Sequence, residues 1–500
     1  MLRLLPVLFL GVIAFAQTPT VTGALNSADY GPRLCPGVLA SIFGTNFGST
    51  ASAVSVTLGG KAAYVAGVTP SQMTVQFPVD APTGAGSLVV TVNKVASAAF
   101  SVTLLDYAPA LYTSGGTGSG PGLIRTLAGT AVSGSAPANP GDTLSVYAAG
   151  LGATNPATPT GTAPASSPTA ITPTLTVGGA SAVVSYAGDT PGDPGLYQIN
   201  FKVPAGVQGT VPMVLSIGDQ TSVNTVVIDL FGISSVVNNA SFRNPGTVAP
   251  GSLASVFANG LGTTNQSVGF PSTNFQGVTV TFNGIPAPLF HLTATGNQID
   301  LFVPSELPVT GTVNVQLTTP AGTGPNYSLT MAAASPGMYF LADPSTKNRF
   351  NAIALFNNTA WLDLPASMAT ALKIPGNCTA SKYNPASICA QPATAGDFLS
   401  LFVTGLGKAT PNGDPNGTPL STGVVAPSSG VLYKTVATPT VALGTGGAFS
   451  VPVLFSGLAP GFSGLYQVDF QIPAGITGDD IPLVVSMGGA TTDTRTISIH

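Results

Sequence analysis

The 500-residue chain carries only 6% charged residues and a formal net charge of −4, against roughly 25% charged residues in an ordinary soluble domain. Without a basic run it offers nucleic acid no electrostatic foothold, and no polybasic or amphipathic helix supports binding to a membrane surface. Its 44% hydrophobic content, with 61 Gly and 44 Pro, is typical of a turn-rich all-β protein rather than of a disordered chain.

Residues 1–16 have the pattern of a secretory signal peptide. Arg3 supplies the positive start, residues 4–15 form a short apolar run, and Ala14-Phe15-Ala16 fits a small-x-small cleavage site. A buried N-terminal strand is the alternative. The run is too short to span a bilayer and no later stretch reaches 18 apolar residues. We therefore predict an exported, secreted or cell-surface protein without a transmembrane anchor.

A heptapeptide that begins with Gln and ends with Pro recurs four times, at 72–78, 198–204, 298–304 and 467–473. Its alternation of apolar and mostly polar residues predicts a half-buried β-strand whose second, fourth and sixth residues face a core. The Pro cannot donate to a sheet ladder and ends the strand. We expect the repeated Gln side chains to be structural and to hold the backbone of a neighbouring loop; they are Gln72, Gln198, Gln298 and Gln467.

Each heptapeptide lies within a longer repeat. A turn-and-strand segment precedes it at 36–43, 140–147, 250–257 and 396–402, and a Gly-Leu-Gly bend follows that strand at 150–152, 260–262 and 405–407. Each repeat thus contains about six or seven short strands separated by turn signals, which predicts an immunoglobulin-like β-sandwich, with a closed barrel as the alternative.

A longer period pairs the repeats into an A-B-A-B array, because 17–230 matches 231–500. The predicted organisation is a signal peptide at 1–16 and sandwiches at 17–105, 106–230, 231–332 and 333–500, the last with an insertion near 343–395. Tyr197 and Tyr466, which precede the key Gln in the two B repeats, are expected to be core residues or hydrogen-bonded corner tyrosines.

The Pro-Gly strand start and the Gly-Leu-Gly bend resemble IPT/TIG-type immunoglobulin-like domains. The Asn-Ala-Ser-Phe opening at 239–242 and the Pro-Gly-Phe-Ser-Gly-Leu-Tyr-Gln-Val segment at 460–468 resemble the C-terminal repeat module of exported acidobacterial proteins of the Solibacter type. That module has no agreed activity, so the resemblance implies a fold and export but no reaction. The first repeat departs most, since Asn46-Phe47-Gly48 replaces Gly-Leu-Gly.

Residues suited to acid-base chemistry are scarce: the chain has His291, His500 and a single Glu, Glu306. Acidic residues that could attract calcium lie in Gly- and Pro-rich turns without EF-hand spacing, and ordinary turns explain them; they are Asp189, Asp193, Asp414, Asp479 and Asp480. We predict no catalytic residue, no cofactor and no metal site. An unrecognised hydrolase that uses His291 or Glu306 is the least favoured alternative.

The insertion of the fourth repeat holds the features that are not repeated. Trp361, Tyr383 and Tyr433 are candidate ligand-binding aromatics for a glycan, although Trp361 fits a ring that covers the core better. Cys378 and Cys389 could form a local disulfide, which leaves Cys35 as a buried free thiol or an intermolecular partner.

The sequence therefore predicts a non-catalytic spacer, adhesion or binding protein, with a carbohydrate-binding protein as the first alternative. Its partners would be an extracellular glycan or protein, and the sequence does not determine the oligomeric state.

Overall fold

The computed structural model describes residues 17–262, 265–357, 359–376 and 388–500, with backbone only for 266–271. Residues 1–16, where the signal peptide is predicted, lie outside the described part. The fold is all-β, as predicted: within the described residues the single α-helix, Ala366–Ala371 (α1), has 6 residues. The chain divides into two compact units, 1–230 and 231–500.

The first unit begins with a sandwich that we call A1. One strand, β4, pairs with a neighbour in each layer, so that the path β1-β2-β5-β4-β3-β6-β7 is continuous and β8 joins at β6. Its strands β1–β8 are, in order, Thr20–Asn26, Leu39–Thr45, Val54–Leu58, Lys61–Val68, Gln72–Gln76, Gly84–Val92, Val95–Ala96 and Phe100–Leu104, with a short 3₁₀ turn at Ala51–Ala53.

The second sandwich of this unit, B1, follows the order β10-β18-β16-β13-β14-β15-β12-β11, with β9 paired to β12 and β17 to β16. The strands β9–β18 are Ala110–Leu111, Gly120–Pro121, Ile124–Thr126, Thr143–Ala149, Thr174–Val177, Ala180–Asp189, Tyr197–Lys202, Gly209–Ile217, Gln220–Thr221 and Val226–Leu230.

The second unit begins with sandwich A2, which has two sheets, β19-β20-β25-β24-β21 and β23-β22-β26-β27, the latter extended by β28. The strands β19–β28 are Gly232–Asn238, Leu253–Asn259, Gln266–Ser272, Thr279–Phe282, Ile285–Pro286, Leu289–Thr293, Gln298–Phe302, Gly311–Thr319, Gly322–Thr323 and Tyr327–Met331, with a 3₁₀ turn at Ala294–Gly296.

Sandwich B2 completes the second unit. Its two sheets have the strand orders β34-β33-β32-β35-β41-β40-β37-β36 and β30-β31-β44-β42-β38-β39. In addition, β29 pairs with β35 in the first sheet and β43 pairs with β42 in the second. The strands β29–β44 are Gly337–Met338, Phe340–Ala342, Phe350–Ala352, Ala354–Phe356, Trp361–Asp363, Cys389–Gln391, Phe398–Thr404, Ala409–Pro411, Tyr433–Thr435, Thr440–Leu443, Phe449–Val451, Val453–Leu458, Tyr466–Gln471, Gly478–Met487, Ala490–Thr491 and Arg495–Ile499, with a 3₁₀ turn at Thr445–Gly447.

The heptapeptides form β5, β15, β25 and β41, the central strands that pair with β2, β12, β20 and β35. Their second, fourth and sixth side chains are at most 2% exposed in all four copies, as the alternation predicts. These side chains belong to four separate hydrophobic cores, one in each sandwich. The third, fifth and first residues of each copy therefore point to the outer face of the sheet.

The region predicted as an insertion supplies β31 to β34 and α1 to B2. Its helix packs a small apolar cluster of its own, made of Leu364, Met368, Ala369 and Ala390. Trp361 instead joins the main B2 core and is 1% exposed. The region is thus an extension of the sandwich with packed side chains and not only a surface loop.

Candidate ligand-binding groove in the second unit

The A2 and B2 sandwiches are joined by a buried hydroxyl. Thr404, at the end of β35, accepts a hydrogen bond from the backbone N–H of Leu253 at 2.8 Å and donates one to the carbonyl of Gly464 at 2.9 Å. Gly464 is at a close approach, since a Cβ there would lie 2.8 Å from the ring of Phe302. Only glycine lets the B2 loop approach the A2 sheet this closely.

A second contact between the sandwiches occurs in both units in the same form. In the second unit the backbone N–H of Ser305 donates to Thr422 Oγ1 at 3.0 Å, and in the first unit that of Val79 donates to Thr160 Oγ1 at 3.0 Å. In each case the donor directly follows the Pro of a heptapeptide and the Thr directly precedes a glycine. Each pair of sandwiches is therefore held by the same Thr-Gly loop.

Two longer side chains repeat as well. Asn26 and Asn238 donate to the carbonyls of Ala108 and Ser335 in the linker to the B sandwich, at 2.9 and 2.7 Å. In the second unit the Arg243 guanidinium pairs with Asp493 and donates to the carbonyl of Thr491 at 3.0 Å; in the first, Arg33 donates to the equivalent carbonyl of Thr221 at 2.8 Å. The geometry of each pair is thus determined at several points.

A groove with a volume of about 940 Å³ lies between A2 and B2. Aromatic rings from both sandwiches line it, together with aliphatic side chains and three polar residues. The lining residues are Asn239, Leu253, Phe290, Phe302, Tyr339, Ile353, Leu355, Phe402, Val425, Ala459, Pro460, Gly461, Phe462, Ser463, Leu465 and Gln467. This volume and this apolar lining are typical of ligand-binding sites in proteins.

A polar network borders the A2 side of the groove. Tyr339 donates to Asn239 Oδ1 at 3.0 Å, and the Asn239 amide nitrogen donates to Ser255 Oγ at 2.7 Å and to Asp300 Oδ1 at 3.0 Å. Asp300 also accepts bonds from Ser255 and Gln298, at 2.6 and 2.7 Å. Burial raises the pKa of the Tyr339 hydroxyl above its ordinary value, so the hydroxyl remains a donor.

The repeated Gln does not hold a loop backbone, and that prediction is wrong. Gln467 donates to Asp469 Oδ1 at 2.7 Å and approaches Ser400 Oγ at 3.5 Å. Gln198 and Gln298 have the same two partners, a serine on the adjacent strand and the side chain two residues on, whereas Gln72 contacts only the serine, Ser41. The reason is strand geometry: the first and third residues of a strand point to the same face, so the amide reaches the side chain two residues on.

The two tyrosines that precede the Gln in the B sandwiches are corner tyrosines. The hydroxyl of Tyr466 donates to the carbonyl of Gly407 at 2.6 Å, and that of Tyr197 donates to the carbonyl of Gly152. Both carbonyls belong to a Gly-Leu-Gly bend. Each tyrosine therefore fastens that bend to the central strand from inside the core.

The two candidate glycan-binding aromatics that the structure describes, Trp361 and Tyr433, do not form an exposed surface. Trp361 lies in the core, so its ring presents no face for stacking against a sugar. The prediction that it binds a glycan is therefore wrong, and the alternative, a ring that packs on the core, agrees with its position. Tyr383 lies outside the described residues. Tyr433 is half-buried and packs against the B2 core.

Each of the residues considered for acid-base chemistry is hydrogen-bonded to another residue. His291 Nε2 is 2.7 Å from Thr293 Oγ1, and the Glu306 carboxylate accepts the N–H of Thr422 at 3.1 Å, across the A2–B2 contact. His500 pairs with Asp479 at 2.8 Å. Among the residues that the structure describes, no group of three or more His, Cys, Asp or Glu side chains could hold a metal ion.

The cysteines differ in state. Cys389 is disulfide-bonded, whereas Cys378, its predicted partner, lies outside the described residues. Cys35 is a free thiol in the A1 core, where burial raises its pKa to about 12. Of the two readings of Cys35 from the sequence, the buried free thiol is the one that the structure shows.

Sequence reasoning missed the aromatic residues of the groove. A signal was present, because the outward-facing fifth residue of the heptapeptide is Gln76, Lys202 and Gln471 in three copies but Phe302 in the third along the chain. A large apolar residue at a position that is otherwise polar indicates a covered or binding surface. Three other aromatic residues of the groove are far apart in sequence and converge only in the folded unit: Phe290, Phe402 and Phe462.

No helix in the described part of the chain is long and apolar enough to cross a membrane.

Comparison with known proteins gives a family match for part of the chain. Residues 35–107, which cover most of A1 and the start of the linker that follows it, match the IPT/TIG domain. No curated protein matches the chain.

Solved structures resemble the chain at low sequence identity. The full extracellular region of plexin A4 is 12% identical, with a TM-score of 0.24, over 96% of this chain and 30% of that one. The surface glycan-binding protein SGBP-B of the Bacteroides ovatus mixed-linkage glucan utilization locus is 12% identical, with a TM-score of 0.16, over 62% of this chain and 68% of that one. The S-layer protein rSbsC is 11% identical, with a TM-score of 0.18, over 97% of this chain and 54% of that one.

Proposed function

We propose that this protein is an exported, non-catalytic binding protein and that the groove between A2 and B2 is its ligand-binding site. The observation that carries the proposal is the groove itself, an apolar cleft whose walls come from two sandwiches held together by repeated contacts. Strands supply Phe302 and Phe402, and the loop that carries Phe462 is held by hydrogen bonds at Gly464 and Ser463. A site held in place before the ligand arrives lowers the entropic cost of binding.

Two observations support export. The first 16 residues have the signal-peptide pattern, and Cys389 is in a disulfide, a bond that is rare in reducing compartments. The resemblance to the exported Solibacter-type module agrees with this proposal and stays a prediction.

The decisive experiment compares two exposed apolar side chains of the second unit. Phe462 is 55% exposed and lines the groove, whereas Leu454 is 56% exposed and lies outside it. The purified chain, with either residue changed to serine, is tested against a panel of displayed peptides, glycans and apolar small molecules. Covering a Phe ring contributes about 2 kcal/mol, so Phe462→Ser should weaken binding about thirtyfold.

Leu454→Ser should leave the dissociation constant unchanged and serves as the matched control. If no member of the panel binds in a manner that depends on Phe462, the groove is not the binding site and the proposal is rejected.

A spacer role is a second candidate, and the repeated Thr-Gly contacts favour it because they stiffen each pair of sandwiches. Under this role neither Phe462→Ser nor Leu454→Ser would affect any binding, while loss of the Thr422 contact would make the second unit more flexible. Small-angle scattering of Thr422→Val in the isolated full chain measures that flexibility.

A further inference from the structure

We propose that the groove between A2 and B2 binds an uncharged peptide segment of a partner protein, through that segment's apolar and aromatic side chains. The inference rests on the proposed function and specifies its ligand class. Four properties of the described groove residues lead to it.

The first property is charge. None of the sixteen described residues that line the groove is Asp, Glu, Lys, Arg or His. A charged group placed there would lose its water without gaining a counter-ion, which is strongly unfavourable. The matching segment of the ligand is therefore uncharged.

The second property is the state of the polar groups. Tyr339 already donates to Asn239, and both amide hydrogens of Asn239 are used on Ser255 and Asp300. Ser463 donates to the carbonyl of Val424 at 3.0 Å. A glycan presents many hydroxyls that each need a partner, whereas the donor hydrogens of these groups are already used within the protein. The groove therefore suits apolar side chains better than a sugar.

The third property is the open rim. Phe462 and Val425 are 55% and 41% exposed at the edge of the groove. A free acyl chain or small apolar molecule would remain partly in water at such a rim, and much of the hydrophobic gain would be lost. A polypeptide can fill the groove with its side chains and cover the rim with its neighbouring residues. Aromatic residues of this kind are enriched in protein interfaces.

The fourth property is that large apolar side chains of the groove stand at positions where the first unit has mostly polar or small residues. The strand register places Phe302 opposite Leu253 and Gln76 opposite Leu39, so Phe302 and Gln76 are equivalent. In the same way Phe402 corresponds to Tyr147, since both pair with the repeated Gln of the adjacent strand.

Three further groove positions change in the same direction. Leu355 corresponds to Arg125, because each is paired with the serine of the adjacent strand, Ser400 or Ser145. Phe290 corresponds to Ala66, because each is the extra residue of the bulge before the heptapeptide strand. Phe462 corresponds to Asp193, because each lies two residues before an equivalent glycine, Gly464 or Gly195. At four of the five positions the first unit folds with a polar or small residue, and only Tyr147 keeps an aromatic ring. The presence of large apolar side chains in the second unit is therefore not a requirement of folding and agrees with a role in binding.

The test uses the full chain and a phage-displayed library of random 12-residue peptides. We expect selected peptides to be enriched in Phe, Trp, Tyr and Leu and depleted in charged residues. Peptides synthesised from the selected sequences should bind Phe462→Ser at least tenfold more weakly than the unchanged chain and should bind Leu454→Ser equally. Val425→Ser, a second change of an exposed groove residue, should also weaken binding, and circular dichroism verifies that each variant is folded.

The other probes separate failure of the inference from failure of the proposed function. Binding that depends on Phe462 but is seen only with laminarin or xyloglucan oligosaccharides, or only with palmitate or N-phenyl-1-naphthylamine, overturns the peptide inference and leaves the groove as a binding site. Selected peptides rich in charged residues also overturn it. Absence of any binding that depends on Phe462 or Val425 overturns both proposals.

Discussion

The hydroxyl of Thr404 links the two sandwiches of the second unit and can be removed by a single conservative substitution. Thr404 is fully buried and bonds to the N–H of Leu253 in A2 and to the carbonyl of Gly464 in B2. Thr404→Val keeps the side-chain shape but removes both bonds and leaves two backbone groups without partners. Each unsatisfied buried group costs about 1–3 kcal/mol. The Leu253 bond is only partly buried and its loss lies at the low end of that range, so we expect B2 to lose roughly 2–4 kcal/mol of its free energy of unfolding.

The assay is urea denaturation followed by tryptophan fluorescence. Trp361 is the single tryptophan of the chain and is 1% exposed in the B2 core, so its emission reports on B2 alone. With a slope of about 2 kcal/mol per molar urea, the midpoint of the Trp361 transition should fall by about 1–2 M. Thr440→Val, at an exposed position of β38 in the same sandwich, is the matched control and should leave the midpoint nearly unchanged.

A Thr404→Val midpoint within about 0.3 M of the unchanged chain would refute the reasoning. It would show that water or a local shift satisfies the two backbone groups and that Thr404 does not couple the sandwiches. A lower midpoint in both Thr404→Val and Thr440→Val would point to a general effect of valine and would also remove the support for this contact.

Three further predictions use the same fluorescence or a chemical probe. Tyr466→Phe should lower the urea midpoint of the Trp361 transition, because loss of the hydroxyl's hydrogen bond removes about 1–2 kcal/mol of the free energy of unfolding. Tyr197→Phe, which removes the same bond in the first unit, should leave that midpoint unchanged. Equal shifts in the two variants would contradict the conclusion that the sandwiches have separate cores. Burial raises the pKa of Asp363 to about 8, although the bonds that its carboxylate accepts from two backbone N–H groups lower that pKa. Between the ordinary value of 3.8 and about 8 the folded chain therefore binds more protons than the unfolded chain, so the stability of B2 should fall as pH rises from 5 to about 8. A Trp361 midpoint that does not fall over this range, or an equal fall in Asp363→Asn, would contradict this prediction. Cys35, buried with a pKa raised to about 12, should resist iodoacetamide at pH 8 in the folded chain and react in urea, and rapid labelling without urea would contradict its burial.

Much of the fold follows from local pattern. The alternation within each heptapeptide determines which side chains enter a core, because successive residues of a strand point to opposite faces whatever the rest of the chain does. The four copies therefore predicted four central strands with buried second, fourth and sixth residues, and the structure confirms them. The corner tyrosines were also open to prediction, since each directly precedes a repeated Gln and is the first residue of a central strand.

Other features depended on distances that no local pattern encodes. Trp361 could have covered the core or faced solvent, and only the packing of β33 against the B2 sheet decided that it is buried. The repeated Gln had several partners within reach in principle, and its choice of a serine depended on the register between two strands.

The groove is the clearest case of a feature that tertiary structure alone decided. Phe302 and Phe462 are separated along the chain by most of B2. Phe302 lies on a strand face that the alternation predicts only to be out of the core, and Phe462 lies in the loop before β41. They become neighbours because Gly464 and Thr404 bring the B2 loop against the A2 sheet. The sequence by itself determined which residues each strand buries, since that depends on strand geometry. The position of the ligand site depends on how two finished sandwiches pack, and that was decided by contacts between residues distant in the chain.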